Sequence, residues 1–213
     1  YKYERSITSG WSADGKVSTR LELGDYKFLF IKSAGINTIL YPNPLGNTTT
    51  FDQIKIDAKP DTQNTGYILP VDEIWLPETK ELAERPYTIT GPTTVKNRLT
   101  RAVGQIVVNM KRAAIDGTDT TYISFPANTD IMKNIKDIKL DIAGIGQSIN
   151  IEKGSGNAKT IYDFDETEAK IDTHGFASLE GPFVFPTVDK DKATVKVTIT
   201  PSATSAFPEM STT

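Results

Sequence analysis

The stretch Leu99-Thr100-Arg101-Ala102-Val103-Gly104-Gln105-Ile106-Val107-Val108-Asn109-Met110 constrains the chain more than any other. It contains no proline and no helical stripe. From Ala102 onward one alternate set (Ala102, Gly104, Ile106, Val108, Met110) is apolar or small, and the other (Arg101, Val103, Gln105, Val107, Asn109) is mixed. A period of two with one apolar set is the pattern of a strand covered fully on one face and partly on the other. Gly91-Pro92-Thr93-Thr94 precedes it as a seam, and Lys111-Arg112 blunts its exit. A long central strand directly after such a seam is expected to open a second domain, dividing the 213 residues into 1–95 and 96–213.

Short strands and turn signals fill the rest. Asp14-Gly15 suits a tight turn, because both central positions of the common two-residue hairpin loop need positive φ. Val17 to Leu23 alternates, and Tyr26-Lys27-Phe28-Leu29-Phe30-Ile31 is apolar enough to be a strand buried on both sides. Ser33 to Thr50 reads as loop. Short strands are expected at Ile54-Lys55-Ile56, Glu73 to Leu76 and Tyr87 to Thr90, with at most two helical turns over Thr79 to Arg85. Asp116-Gly117 gives a turn, Thr121 to Phe125 a strand, and Asp130 a cap for a single turn through Ile135. Ile138 to Ile142 alternates cleanly before Gly144 and Gly146. Phe176 to Phe185 holds one or two strands around Gly181-Pro182. Lys192 to Thr200 places Val195, Val197 and Ile199 inside, and the Ser/Thr/Pro tail reads as linker or unfinished domain. Many short strands separated by turns indicate an all-β sandwich, twice over.

Charge and composition narrow the function. The 24 basic and 27 acidic side chains include no basic block, so the footprint of a nucleic-acid binder is missing. With no cysteine, a disulfide framework, a thiolate metal site and a cysteine nucleophile are all excluded. The one histidine, His174, has neither a histidine partner for a metal nor a Gly-x-Ser-x-Gly elbow, and reads as a surface turn residue. Asp163, Asp165, Glu166, Glu168 and Asp172 begin like a calcium loop. Glu168 then stands where the sharp-turn glycine belongs, and His174 where the bidentate glutamate belongs, so the cluster reads as a solvated acidic loop. Gly144-Ile145-Gly146 and Gly154-Ser155-Gly156 lack the flanking residues of a phosphate cradle and read as turns. No catalytic, cofactor-binding or metal-binding residue is assigned. Trp11, Trp75, Tyr41 and Tyr67 lie near loops, where exposed rings can stack on sugars.

Leu99, Arg101, Ala102, Ile106 and Val108 resemble the strand that opens the C-terminal domain of Bacteroidales fimbrial proteins, the FimA-type fimbrillins and, more closely, the FimB-type anchor subunits. Leu21-Glu22-Leu23-Gly24-Asp25-Tyr26 followed by an apolar run is similar to a motif of that family's N-terminal domain, and Ile138 to Gly144 to a further strand. The resemblance implies two transthyretin-like (Greek-key) β-sandwich domains in tandem. The first, 1–95, would lack its first strand, and the second, 96–213, would be incomplete at its C-terminal end. It also implies a non-enzymatic fimbrial anchor or accessory subunit at the cell surface, needing no cofactor. Such a subunit would join other fimbrial subunits by strand donation and would be held to the outer membrane by an upstream lipid anchor that is not in this chain. The alternative from the residues is a cell-surface carbohydrate-binding sandwich that meets host or surface glycans through Trp11 and Trp75.

Overall fold

The computed structural model describes residues 6–33, 35–42, 45–78, 85–123, 133, 135–150, 154–166, 170–171, 177–187, 193–203 and 210–212. Within them the chain forms strands β1 (Gly24–Tyr26), β2 (Lys32–Ser33), β3 (Thr38–Tyr41), β4 (Lys55–Ala58), β5 (Ile74–Pro77), β6 (Tyr87–Ile89), β7 (Leu99–Arg101) and β8 (Gly104–Met110). The second half continues with β9 (Arg112–Asp116), β10 (Asp119–Ile123), β11 (Ile135–Asn150), β12 (Gly154–Glu166), β13 (Lys170–Ile171), β14 (Ala177–Val184), β15 (Thr194–Pro201) and β16 (Met210–Thr212). A 3-10 turn spans Phe51–Gln53. The all-β expectation holds, in several antiparallel sheets.

The long strand β11 organises the largest sheet. Its alternate residues Ile138, Leu140 and Ile142 are buried, as the period of two requires. Removing each from water contributes about 1.5–3 kcal/mol. β12 pairs along one edge of β11, from Ile138↔Glu166 to Asn150↔Gly154. β15 pairs with residues 135–143, and β4 takes over at Ser148↔Asp57 to Asn150↔Lys55. Between those two partners, Ile145 bridges Thr187 and the Gly146 N–H donates to Pro186 O at 3.0 Å. Gly144 therefore does not end the strand. It sits at φ +75°, where the register against β12 shifts between Ala143 and Ile145, and a glycine is what such a bulge accepts. The Gly154-Ser155-Gly156 run, expected as a turn, likewise lies in the ladder as the start of β12.

A second layer is built on β14, which pairs with β13 on one side and β8 on the other. One strand, not two, spans Gly181-Pro182, because a bulge between Glu180 and Phe183 accommodates the proline that a regular inner strand excludes. A Cβ on Gly181 would lie 2.9 Å from Ile106 O and 3.0 Å from Leu140 Cδ1, so the missing side chain is what lets the β8 backbone and the β11 face close over it. Ile56, Ala58, Ile74, Val103, Leu140, Ile142, Ile145, Val184 and Phe185 form one buried cluster from β4, β5, β11, β14 and the connections beside them.

That cluster crosses the expected 95/96 seam. β7 pairs back to β5 (Trp75↔Arg101, Leu76↔Thr100, Pro77↔Leu99), and β4 pairs with β11, so strands from both sides of the seam share ladders as well as a core. The stretch 99–110 is also not one strand. It breaks at Ala102–Val103, where the Ala102 N–H donates to Ile74 O at 2.8 Å, Val103 is buried and the chain passes from the β5 sheet to the β14 sheet. Corners of this kind carry a chain from one packed sheet to the next.

Several other expectations change. Val17 to Leu23 forms no strand among the described residues, and Leu23 is 73 % exposed, because alternation without a partner ladder does not bury a face. Tyr26 to Ile31 is half-buried, with only Tyr26 in a strand; its rings instead pack on one another and on Tyr87, with centroids 5.8–6.4 Å apart. The loop read over Ser33 to Thr50 contains β3, and the tail returns as β16 on β15 (Val197↔Thr212, Ile199↔Met210). The helical turns expected at 79–85 and at 130–135 fall largely outside the described residues.

The connection before β5 is fixed by Asp61. Its carboxylate accepts from Asn64 Nδ2 at 2.8 Å and from the N–H groups of Gln63 at 2.8 Å and Asn64 at 3.2 Å. The Asn64 amide first, then the Gln63 N–H, hold its pKa below the usual 3.8. A lowered folded pKa gives a tether that is complete above 3.8 and is lost as pH falls through the lower folded value. An NMR titration of the Gln63 amide should therefore show its midpoint below 3.8; a midpoint at or above that value would contradict the tether. Gly181→Ala should cost about 1–3 kcal/mol in denaturant unfolding, the range for overpacking a closed core. Gly91→Ala, with nothing within 4 Å of its new Cβ, should be neutral.

Candidate functional site

The feature that stands out is the outer edge of β8. Its inner edge is paired to β14 from Gly104↔Val184 to Met110↔Ala177, and Gln105 Nε2 also donates to Gly181 O at 3.4 Å. Among the described residues no strand pairs with the outer edge. Period-two geometry turns Ile106 and Val108 toward the core cluster, against which they pack, yet both remain half-buried. On the opposite face Gln105, Val107 and Asn109 are exposed, Val107 at 47 %.

Protein sheets protect such edges with lysine, proline, inward charge or a bulge on the edge strand. β8 reads Gly-Gln-Ile-Val-Val-Asn-Met and has no charged residue and no proline. The bulge in this sheet falls on its partner β14. Both ends of β8 are anchored or extended. At the corner, Arg101 ion-pairs with Glu73 and lies 5.7 Å over the Phe183 ring. At the far end the chain enters the β9–β10 hairpin, joined at the expected Asp116-Gly117 turn and paired with no other sheet among the described residues. The hairpin exposes Tyr122 on its returning strand. An edge with apolar side chains on one face and open backbone donors and acceptors alongside can take one extended peptide segment as an added strand.

The two tryptophans occupy different surroundings. Trp11 is 44 % exposed and its Nε1 donates to Ile7 O at 3.2 Å. Trp75 is half-buried in β5 between β2 and β7, and the Lys32 ammonium lies 4.3 Å from its ring centroid. Neither tryptophan is in ring contact with another aromatic among the described residues. His174, Asp172 and the side chains of Asp163, Asp165, Glu166 and Glu168 lie outside what the structure describes. Among the described residues no three histidine, aspartate or glutamate side chains converge as metal ligands would.

Compared with known proteins, the chain matches no family model and no curated protein. Among solved structures it is similar, at 14 % identity and a TM-score of 0.45, to a crystal structure of a candidate adhesin from Bacteroides ovatus. The match covers 90 % of this chain and spans 58 % of that one.

The surroundings of the tryptophans predict unequal responses to truncation. Trp75→Ala should lower stability by about 1–2 kcal/mol, because it empties half-buried packing and releases Lys32. Trp11→Ala should stay within about 0.5 kcal/mol of the parent protein. Thermal or urea unfolding of both variants checks the contrast.

Proposed function

We propose that this chain is a non-enzymatic, surface-exposed fimbrial subunit of the anchor or accessory type, which takes up an extended segment of a neighbouring subunit by β-strand donation. The observation that carries the reading is the β8 edge: seven residues without charge or proline, unpaired among the described residues, with Ile106 and Val108 half-buried beside it. A donated strand would complete the backbone ladder and cover those two side chains, which combines hydrogen-bond pairing with apolar burial. Of the residues in the fimbrillin-like pattern, Ile106 and Val108 lie on this strand, while Leu99 and Arg101 lie on β7 and Ala102 at the corner between the two.

Lysine at outward positions tests this without disturbing the core. Val107→Lys and Asn109→Lys change exposed side chains and should leave stability within about 0.5 kcal/mol. They should abolish incorporation of the chain into polymer recovered from sheared surface material, since charge on an edge strand opposes pairing. Hydrogen exchange on the incorporated parent chain should show new protection at the outward-directed amides of 104–110. Normal incorporation of the double variant, or no new protection in β8, would reject this edge as the acceptor.

A further inference from the structure

We propose that the cavity beside Tyr41, at the opposite side of the large sheet from β15, is a carbohydrate site that holds one pyranose ring. It is an open depression of about 470 Å³, lined by Tyr41, Gly46, Thr48, Thr49, Gln53 and Lys55. Tyr41 closes β3, the outermost strand of this sheet, and is 37 % exposed. Lys55 stands directly across the ladder from it in β4, with its ammonium 5.1 Å from the ring centroid. The same ammonium donates to Asp57 Oδ2 at 2.8 Å, which fixes its position and balances its charge. That pairing favours an uncharged sugar over an acidic one.

The facing wall is equally ordered. The Thr49 N–H donates to Gly46 O at 2.8 Å and the Gly46 N–H to Thr49 Oγ1 at 2.9 Å, closing the loop on itself. Gln53 Oε1 accepts from the Thr50 N–H at 3.0 Å, which commits its oxygen and leaves a side-chain NH₂ with two donor hydrogens on a lining residue. Thr48 adds an exposed hydroxyl. An apolar ring face, an amide donor, a hydroxyl and an ammonium around one opening match the two surfaces of a pyranose, whose C–H face is apolar and whose rim carries hydroxyls. This site is separate from the β8 edge and from both tryptophans, and a subunit could carry it whatever its mode of assembly.

Saturation-transfer NMR with methyl glycosides of glucose, galactose, mannose and N-acetylglucosamine as probes, titrated through the millimolar range, tests the proposal. At least one should receive saturation, strongest at its C–H protons. Tyr41→Phe should keep the signal, and Tyr41→Ala should weaken binding about ten-fold, as loss of a stacked ring predicts. Gln53→Ala, on an exposed side chain, should also reduce it, and Trp11→Ala should leave it unchanged. Amide spectra that match the parent protein in β4 and β11 establish that each variant is folded. Saturation of no probe, undiminished binding by folded Tyr41→Ala and Gln53→Ala, or loss in Trp11→Ala would each overturn the assignment.

Discussion

Ile138, Leu140 and Ile142 leave essentially no surface to solvent, and the strand that carries them serves three partners. That double duty of β11 governs the rest of the molecule. Its side chains supply the floor of the core, and its backbone fixes the registers of β12, β15 and β4. The bulges at Leu140/Ile142 and Ala143/Ile145 bend it between these tasks. The second layer fits because Gly181 leaves room for Leu140 and for the β8 backbone at a single point. The exposed apolar residues Leu23, Ile36 and Tyr122 lie on other segments, and Val107 turns outward beside that contact.

Much of this was legible in the residues, because alternation reports a buried face directly. Ile138, Leu140 and Ile142 are inside as their spacing requires, and Val195 and Val197 pack against the same core. What alternation does not report is the partner. Val17 to Leu23 has the right period and no ladder, whereas Thr38–Tyr41, embedded in a proline- and threonine-rich loop, gains one from β4. A glycine is equally ambiguous in one dimension, since Gly144 marks a bulge inside a strand rather than its end. The corner at Ala102–Val103 leaves no mark in the sequence for a related reason. Both residues are apolar, and the two registers on either side of the break each look continuous.

The candidate surfaces follow the same division. The β8 edge left a local trace, seven residues with none of the usual edge protection, but only pairing in space shows which edge is open. The tryptophans, chosen as large rings near loops, separate once neighbours are known, with Lys32 against Trp75 and none of comparable kind against Trp11 among the described residues. Tyr41 was visible only as one more loop aromatic. Its cavity depends on Lys55 opposite it, a contact between strands that no spacing rule connects, and on Gln53 held by the Thr50 backbone at the spacing of a capping box.

Gly181 also sets the terms on which this molecule can change over time. The outward positions of β8 put little demand on the packing, since side chains at Val107 and Asn109 meet solvent. Position 181 is different, because the obstacle to a larger residue is partly the Ile106 carbonyl, which no change of side chain removes. Any lineage that acquired a side chain there would have to shorten Leu140 and let the β8 backbone retreat together. The spacing of the two layers is thus protected by an absence, and relatives with this packing should keep glycine at 181.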